Sequence, residues 1–239
     1  MRNSFIKKAL VIFIGLTLSL STYAWKLRTD SLVYAGAWGG ASYAKIMGYT
    51  TPTKPLLGNA FGVKVWLQPT REFSINTGLT FIQKGFVADM EYFNIYNTSI
   101  GYFPTNYSFN YLNIPLGLNY NLGRNKFNIY LSAGIDIDFL LEEHTFYSQE
   151  VPYKVDGIEI NRIDTNHTDI YKKFNFGVYI GGGIEYRFKP NIIAFADVKY
   201  MHGTNNILDV NSIYNLKQRP IVVGIGIRFG IPVTIGYYD

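Results

Sequence analysis

Residues 60–86 read AFGVKVWLQPTREFSINTGLTFIQKGF. Phe61, Val63, Val65 and Leu67 fall on one parity, with Lys64 and Trp66 on the other. After Pro69-Thr70-Arg71-Glu72, Phe73, Ile75, Thr77, Leu79 and Phe81 alternate with Ser74, Asn76, Gly78 and Thr80. A period of two marks a strand with one apolar and one polar face. The proline-led break marks a tight reversal between two such strands. The stretch is a β-hairpin.

The same rhythm recurs on both sides. Leu112, Ile114, Leu116, Leu118 and Tyr120 alternate with polar or small residues, as do Phe127 to Phe139, Phe174 to Phe188, Ile192 to Tyr200 and Ile221 to Phe229. Leu32 to Ala41, rich in glycine, reads as a first strand, which makes eight. Short reversals at 69–72, 123–126 and 189–191 alternate with long connections at about 42–57, 84–108, 142–171 and 202–218. Strict alternation of short and long connections is the habit of an up-and-down barrel with one rim toward the periplasm and one outward. An even strand count then places both termini on the periplasmic side.

Composition agrees. Of 239 residues, 17% are aromatic and only 16% charged, with 23 glycines and no cysteine. Ordinary soluble domains carry roughly 25% charged residues. The absence of cysteine excludes disulfides, thiolate metal sites and a cysteine nucleophile. The polar strand faces carry Lys64, Asp136, Asp138, Glu185, Arg187, Asp197, Lys199 and Arg228, four of each sign. A lipocalin-like soluble barrel would turn its apolar faces inward and wet these charges. Strand lengths suited to a bilayer, aromatics at strand ends and a glycine-rich polar face point instead to a transmembrane barrel, with the eight charges as a lumen network of crossed ion pairs. The expected class is all-β, an eight-stranded antiparallel up-and-down transmembrane β-barrel.

The first 24 residues are a separate object. Arg2, Lys7 and Lys8 precede an apolar run from Ala9 to Leu20 and a small-residue site at Ser21–Ala24. This is the pattern of an export signal cut between Ala24 and Trp25, leaving the barrel domain as 25–239. Its removal lowers the basic count from 22 to 19 against 17 acidic residues, so the formal charge falls from +5 to +2. The sequence pI of about 9.1 is thus partly signal peptide, and no basic stripe argues for nucleic acid.

Four segments, 60–86, NYLNIPLGLNYNLGRNKFNIYLSAGID (110–136), KKFNFGVYIGGGIEYRF (172–188) and RPIVVGIGIRFG (219–230), carry a family resemblance. The chain resembles the PorT-like outer-membrane β-barrel family, above all in Tyr111 to Pro115 and in the glycine spacing after Phe176. The resemblance implies an eight-stranded barrel in a Gram-negative outer membrane, and for a minority of members a part in protein secretion. The final strand departs from the pattern, since Ile231 to Asp239 follow it.

Three classes of role follow. The first is a non-enzymatic structural or interaction protein, accessory to secretion or envelope assembly, in contact with outer-membrane lipid, lipopolysaccharide and an envelope protein partner. The second is a small channel or ligand conduit. The third is a rim-located lipid-modifying enzyme, with His202 beside Thr204 or Ser212 and an aspartate, Asp209 or Asp197, as orienter. The connection from 84 to 108 carries Tyr92, Phe93, Tyr96, Tyr102 and Phe103, a candidate contact surface because aromatics bury large area. The acidic stretch 142–171 lacks the ligand spacing of a calcium loop. Gly181-Gly182-Gly183 lacks the helix and lysine of a phosphate loop. No motif requires a cofactor.

Overall fold

The structure, a computed structural model, describes residues 33–49, 52–93, 96, 98–123, 126–147, 154–155, 158–159, 170–208 and 215–231. The segment read as an export signal, with Ala24 and Trp25, residue Leu32, Arg124 in the expected reversal and the residues from 232 onward lie outside the described residues.

Eight strands close into one antiparallel barrel: β1 (Val33–Ala44), β3 (Thr53–Leu67), β4 (Phe73–Phe93), β5 (Ser99–Asn121), β6 (Phe127–Tyr147), β9 (Phe174–Lys189), β10 (Ile192–Gly203) and β12 (Ile221–Ile231). Each strand pairs with its chain neighbour, and β1 closes the ring against β12, with Val33 opposite Ile231. Val33 also pairs with Leu67, so the described chain ends lie at the short-turn rim. A lipid-facing backbone group has no water to bond, so a closed ladder is what lets strands cross hydrocarbon. Two short pairs stand outside the ring: β2 (Ile46–Met47) with β11 (Lys217–Gln218), and β7 (Lys154–Val155) with β8 (Ile158–Glu159).

The apolar parity faces out. Val63, Leu79, Leu118, Leu131, Ile180 and Ile225 are all exposed, while Lys64, Thr80, Asn119, Ser132 and Asp197 are buried. This is a soluble protein turned inside out. Rings gather at the belt's edges, with Phe61 stacked on Phe81 and Phe139 edge-on to Phe174 toward one rim, and Phe73 tilted against Tyr120 and Tyr186 edge-on to Phe188 toward the other. Such girdles suit the bilayer interface.

Inside, glycines make room for rings. A Cβ on Gly117 would meet the Tyr179 hydroxyl at 1.8 Å, and one on its partner Gly134 would meet the same ring at 2.8 Å. A Cβ on Gly226 would lie 2.5 Å from Phe195 and 2.6 Å from the Ala37 carbonyl oxygen. Gly226→Ala is therefore expected to lower stability by about 1–3 kcal/mol through overpacking. Urea unfolding in vesicles checks this, and an unchanged midpoint would mean the ring has space to move.

The strands differ from expectation in length. β4, β5 and β6 run 21, 23 and 21 residues, whereas about 9–11 suffice to span. The expected loop from 84 to 108 is therefore mostly strand, and the expected loop from 142 is strand as far as Tyr147. The physical reason is an inversion of polarity near Lys84. Below it, the outward residues of β4 are Phe73, Ile75, Leu79 and Phe81; above it, the inward residues Phe86 and Ala88 are the buried apolar ones. In β5 the parity that faces outward likewise changes from Leu118, Leu116 and Leu112 to half-buried Asn110 and Asn106, with Ser108 between them buried against Gln83. Past the bilayer the apolar side must turn away from water, so the alternation changes sign while the ladder continues. β4–β6 form a palisade above the long-loop rim.

Candidate functional site

The lumen is built from two unlike walls. On β4, β5 and β6, buried Ser74, Asn76, Thr80, Asn113, Asn119 and Ser132 make a polar wall. Opposite stands an aromatic wall of Tyr34, Trp38, Trp66, Tyr179 and Phe195, one contiguous cluster with Ile82, Ile193, Met201 and Val222. Between them lie the charges.

Each paired lumen cation touches a carboxylate and a ring. Lys64 Nζ is 3.2 Å from Asp197 Oδ2 and 4.0 Å from the Trp38 ring centroid. Arg228 Nη2 reaches both Glu185 oxygens at 2.9 Å, and its guanidinium lies 5.0 Å from the Tyr34 ring and 5.2 Å from that of Trp66. Lys84 Nζ is 2.6 Å from Asp138 Oδ2 and 5.0 Å from the Tyr111 ring. Asn113 Nδ2 donates to Asp136 Oδ1 at 3.1 Å and to Asp138 Oδ1 at 2.8 Å, holding two like charges together. A desolvated cation gains about 2 kcal/mol or more over a ring face, which helps offset its removal from water. Glycine again provides the space: Lys64 pairs across its two seams with Gly36 and Gly78, and Asp197 with Gly183 and Gly224.

The eight sequence-read charges thus fall into unlike positions. Lys64, Asp136, Asp138, Glu185, Asp197 and Arg228 are buried in the lumen. Lys199 is half-buried, its ammonium 4.6 Å from the Tyr179 ring. Arg187 is half-buried at the short-turn mouth, where its backbone N–H donates to the Lys126 carbonyl. Lys84, read from sequence as the start of a loop, belongs with the lumen charges instead. The aromatic wall was not read from sequence either; its signal was Trp38, Trp66, Tyr179 and Phe195 on the otherwise polar or glycine-rich parity of their strands.

Above the charges the mouth is capped. Phe86, Ala88, Phe109, Tyr111 and Leu140 on the palisade's inner face pack with Ile46, Tyr171, Ile207 and Leu216 in a second apolar cluster. Phe109 stands edge-on to Tyr171 at 4.8 Å, and Phe86 stacks on Tyr107 at 4.8 Å. The β2–β11 pair and the Tyr171–Leu208 bridge hold the capping segments in place. Gly48, at φ 91°, turns the chain directly after β2, a backbone state that favours glycine. Burial pushes the Tyr107 and Tyr171 phenols above their ordinary range. The closed cap holds those protons more tightly than an opened one, so the linked stability is full below about pH 10, the ordinary phenol value, and is lost as pH rises beyond it. Amide exchange in β2 and β11 is expected to quicken above that pH; a rate that follows only the ordinary hydroxide dependence would contradict this.

The aromatic contact surface is rearranged rather than looped. Phe93, Tyr96 and Tyr102 are exposed at 52%, 72% and 64% around the β4–β5 apex. Tyr92 and Phe103 face each other edge-on at 5.8 Å, and the Tyr92 hydroxyl shares a 2.6 Å hydrogen bond with Thr105 Oγ1. At the rim, the Thr204 hydroxyl has the Phe176 carbonyl oxygen at 2.8 Å and Asn205 Oδ1 at 3.3 Å as acceptors. Ser212 and Asp209 lie outside the described residues.

An apolar exterior, a closed ladder and a filled, charge-paired lumen define a transmembrane β-barrel. The chain belongs to the outer membrane protein beta-barrel domain family, whose model matches residues 14–209, and its place is the outer membrane. It is similar in fold to Neisserial surface protein A, at 13% identity over 85% of this chain and 100% of that one, with a TM-score of 0.48. It is also similar to OprG from Pseudomonas aeruginosa, at 10% identity, 84% and 96% coverage and a TM-score of 0.47. The outer membrane protein W of E. coli matches at 13% identity, 85% and 100% coverage and a TM-score of 0.46. No curated protein matches the chain.

Proposed function

We propose that the protein is a non-conducting, non-enzymatic barrel that anchors its β4–β6 palisade in the outer membrane and presents it to an envelope partner. In this reading both termini and the short turns face the periplasm, and the palisade faces outward among lipopolysaccharide. The observation that carries the proposal is the lumen: three buried ion pairs and an aromatic wall fill it, and an apolar cluster caps it. A cross-section packed with side chains leaves a solute no route. The exposed Phe93, Tyr96 and Tyr102 at the apex supply the contact area. The PorT-like resemblance of the strands supports a role accessory to protein secretion or envelope assembly.

Photocrosslinkers at Tyr96 and Tyr102 in intact cells, read by mass spectrometry, test the interaction. A reproducible envelope protein captured at these positions, with capture from position 96 lost on Tyr102→Ala, is the expected result; capture of lipopolysaccharide alone contradicts it. In planar bilayers the purified barrel is expected to show no single-channel steps. Steps that change size on Lys64→Glu would turn the assignment to a conduit.

A further inference from the structure

Just beneath the cap lies a cavity of about 20 Å³, lined in part by Lys84, Asp136, Asp138, Asn175, His202 and Gln218. Three of these residues, exposed by only 3%, 7% and 7%, carry a buried polar atom with no hydrogen-bond partner among the described residues: Asp136 Oδ2, Asn175 Oδ1 and Gln218 Nε2. The other polar atoms of Asp136 and Asn175 are committed. Asp136 Oδ1 accepts from Asn113. Asn175 Nδ2 points to the Lys172 carbonyl at 3.4 Å and the Tyr111 hydroxyl at 3.5 Å, which fixes the amide with its oxygen on the opposite side.

Two acceptors and one donor around one small space define their ligand. An anion would meet Asp136 and Asp138. A cation would meet the Gln218 N–H group beside the Lys84 ammonium, which already sits on Asp138. An apolar group would leave three buried polar atoms unpaired, a costly outcome. A water molecule donates to Asp136 Oδ2 and Asn175 Oδ1 and accepts from Gln218 Nε2, and a cavity needs only about 10–15 Å³ to hold one. We infer that the protein binds an ordered internal water at this site. Asp136 belongs to β6, Asn175 to β9 and Gln218 to the capping strand β11. The water therefore ties the cap to the charged lumen across three elements, and it is part of what holds the mouth closed.

The test is a high-resolution crystal structure of the barrel grown in rubidium chloride, with data collected at the rubidium edge. One peak about 2.7–3.2 Å from all three atoms, without anomalous signal, is expected. An anomalous peak would make this a cation site, and a site without density, or Gln218 directly on Asp136, would show it dry; each overturns the inference. A solution measurement stands beside it. Gln218→Met lies outside the barrel seams, and heat-modified gel migration verifies that the barrel closes. Water-oxygen magnetic relaxation dispersion should then count one fewer long-lived internal water than in the unaltered protein. An equal count overturns the inference.

Discussion

Lys64→Met is expected to destabilise the barrel by about 3–5 kcal/mol, the usual cost of removing one partner from a buried ion pair. Methionine fills a similar volume, so packing changes little and charge is the variable. Lys64 and Asp197 are exposed by only 2% and 7%, and the Asp197 carboxylate would be left in the lumen without its ammonium. Asp197→Leu should cost a similar amount for the mirrored reason. The double variant Lys64→Met/Asp197→Leu should recover most of the loss, because an apolar pair carries no stranded charge. Urea unfolding in vesicles, read as a double-mutant cycle, gives the coupling directly. Additive effects would mean that water reaches the pair and that the lumen is wetter than its packing implies.

The same pair explains why charges sit in this interior at all. An apolar lumen would also fill space, but it would erase the difference between the two faces of every strand. Shifting a strand by one residue exchanges its faces. A slip of β3 would place Lys64 in lipid and Val63 or Val65 inside. Lys64 on β3 meets Asp197 on β10, and Arg228 on β12 meets Glu185 on β9, so the pairs fix strands that are not ladder neighbours. Register is specified across the lumen as well as along the seams.

How much of this is legible in the sequence depends on where the surroundings stay constant. Within the bilayer, Phe61 to Leu67 and Phe73 to Phe81 carry one rule, apolar outward: the alternation gives the strands, the length of the strands, their end aromatics and the glycine-rich polar parity give the facing, and the connection lengths give the order. At Lys84 the surroundings change. The lysine still faces in, but Gln83 no longer faces hydrocarbon and Phe86 takes the inner side, so the pattern loses phase and imitates a loop. Which carboxylate each cation meets is less legible still. Lys64 and Asp197 are 133 residues apart, and their meeting depends on the shear of the closed barrel, which no local pattern records. The cap is harder again: Ile46, Tyr171, Ile207 and Leu216 come from separate connections with no shared period. The aromatic wall was available in principle, as Trp38 and Trp66 share a parity with glycines or a lysine. Tryptophan on a polar parity reads equally well as an interface ring until the opposite wall is known.

Leu116→Arg tests where the membrane lies. Leu116 faces outward near the middle of the apolar run from Leu112 to Tyr120, paired with Thr77 and Ile135 across its two seams. An arginine there must either sit in hydrocarbon or bend toward an interface several residues away, and about 2–4 kcal/mol is expected at mid-bilayer. The informative control is on the same strand and parity. Asn106 is half-buried on the palisade, beyond the inversion near Lys84 and Asn110. Asn106→Arg should cost no more than about 0.5 kcal/mol, the ordinary range for a surface change. Unfolding in vesicles compares the two on one scale. A large penalty at both positions would place the palisade within lipid, and its aromatic inner face would then need another explanation. A small penalty at both would mean that Leu116 lies near an interface, and the belt would have to be redrawn around Ile225, which is 70% exposed. Only a steep difference fits a wall whose apolar side reverses where the bilayer ends.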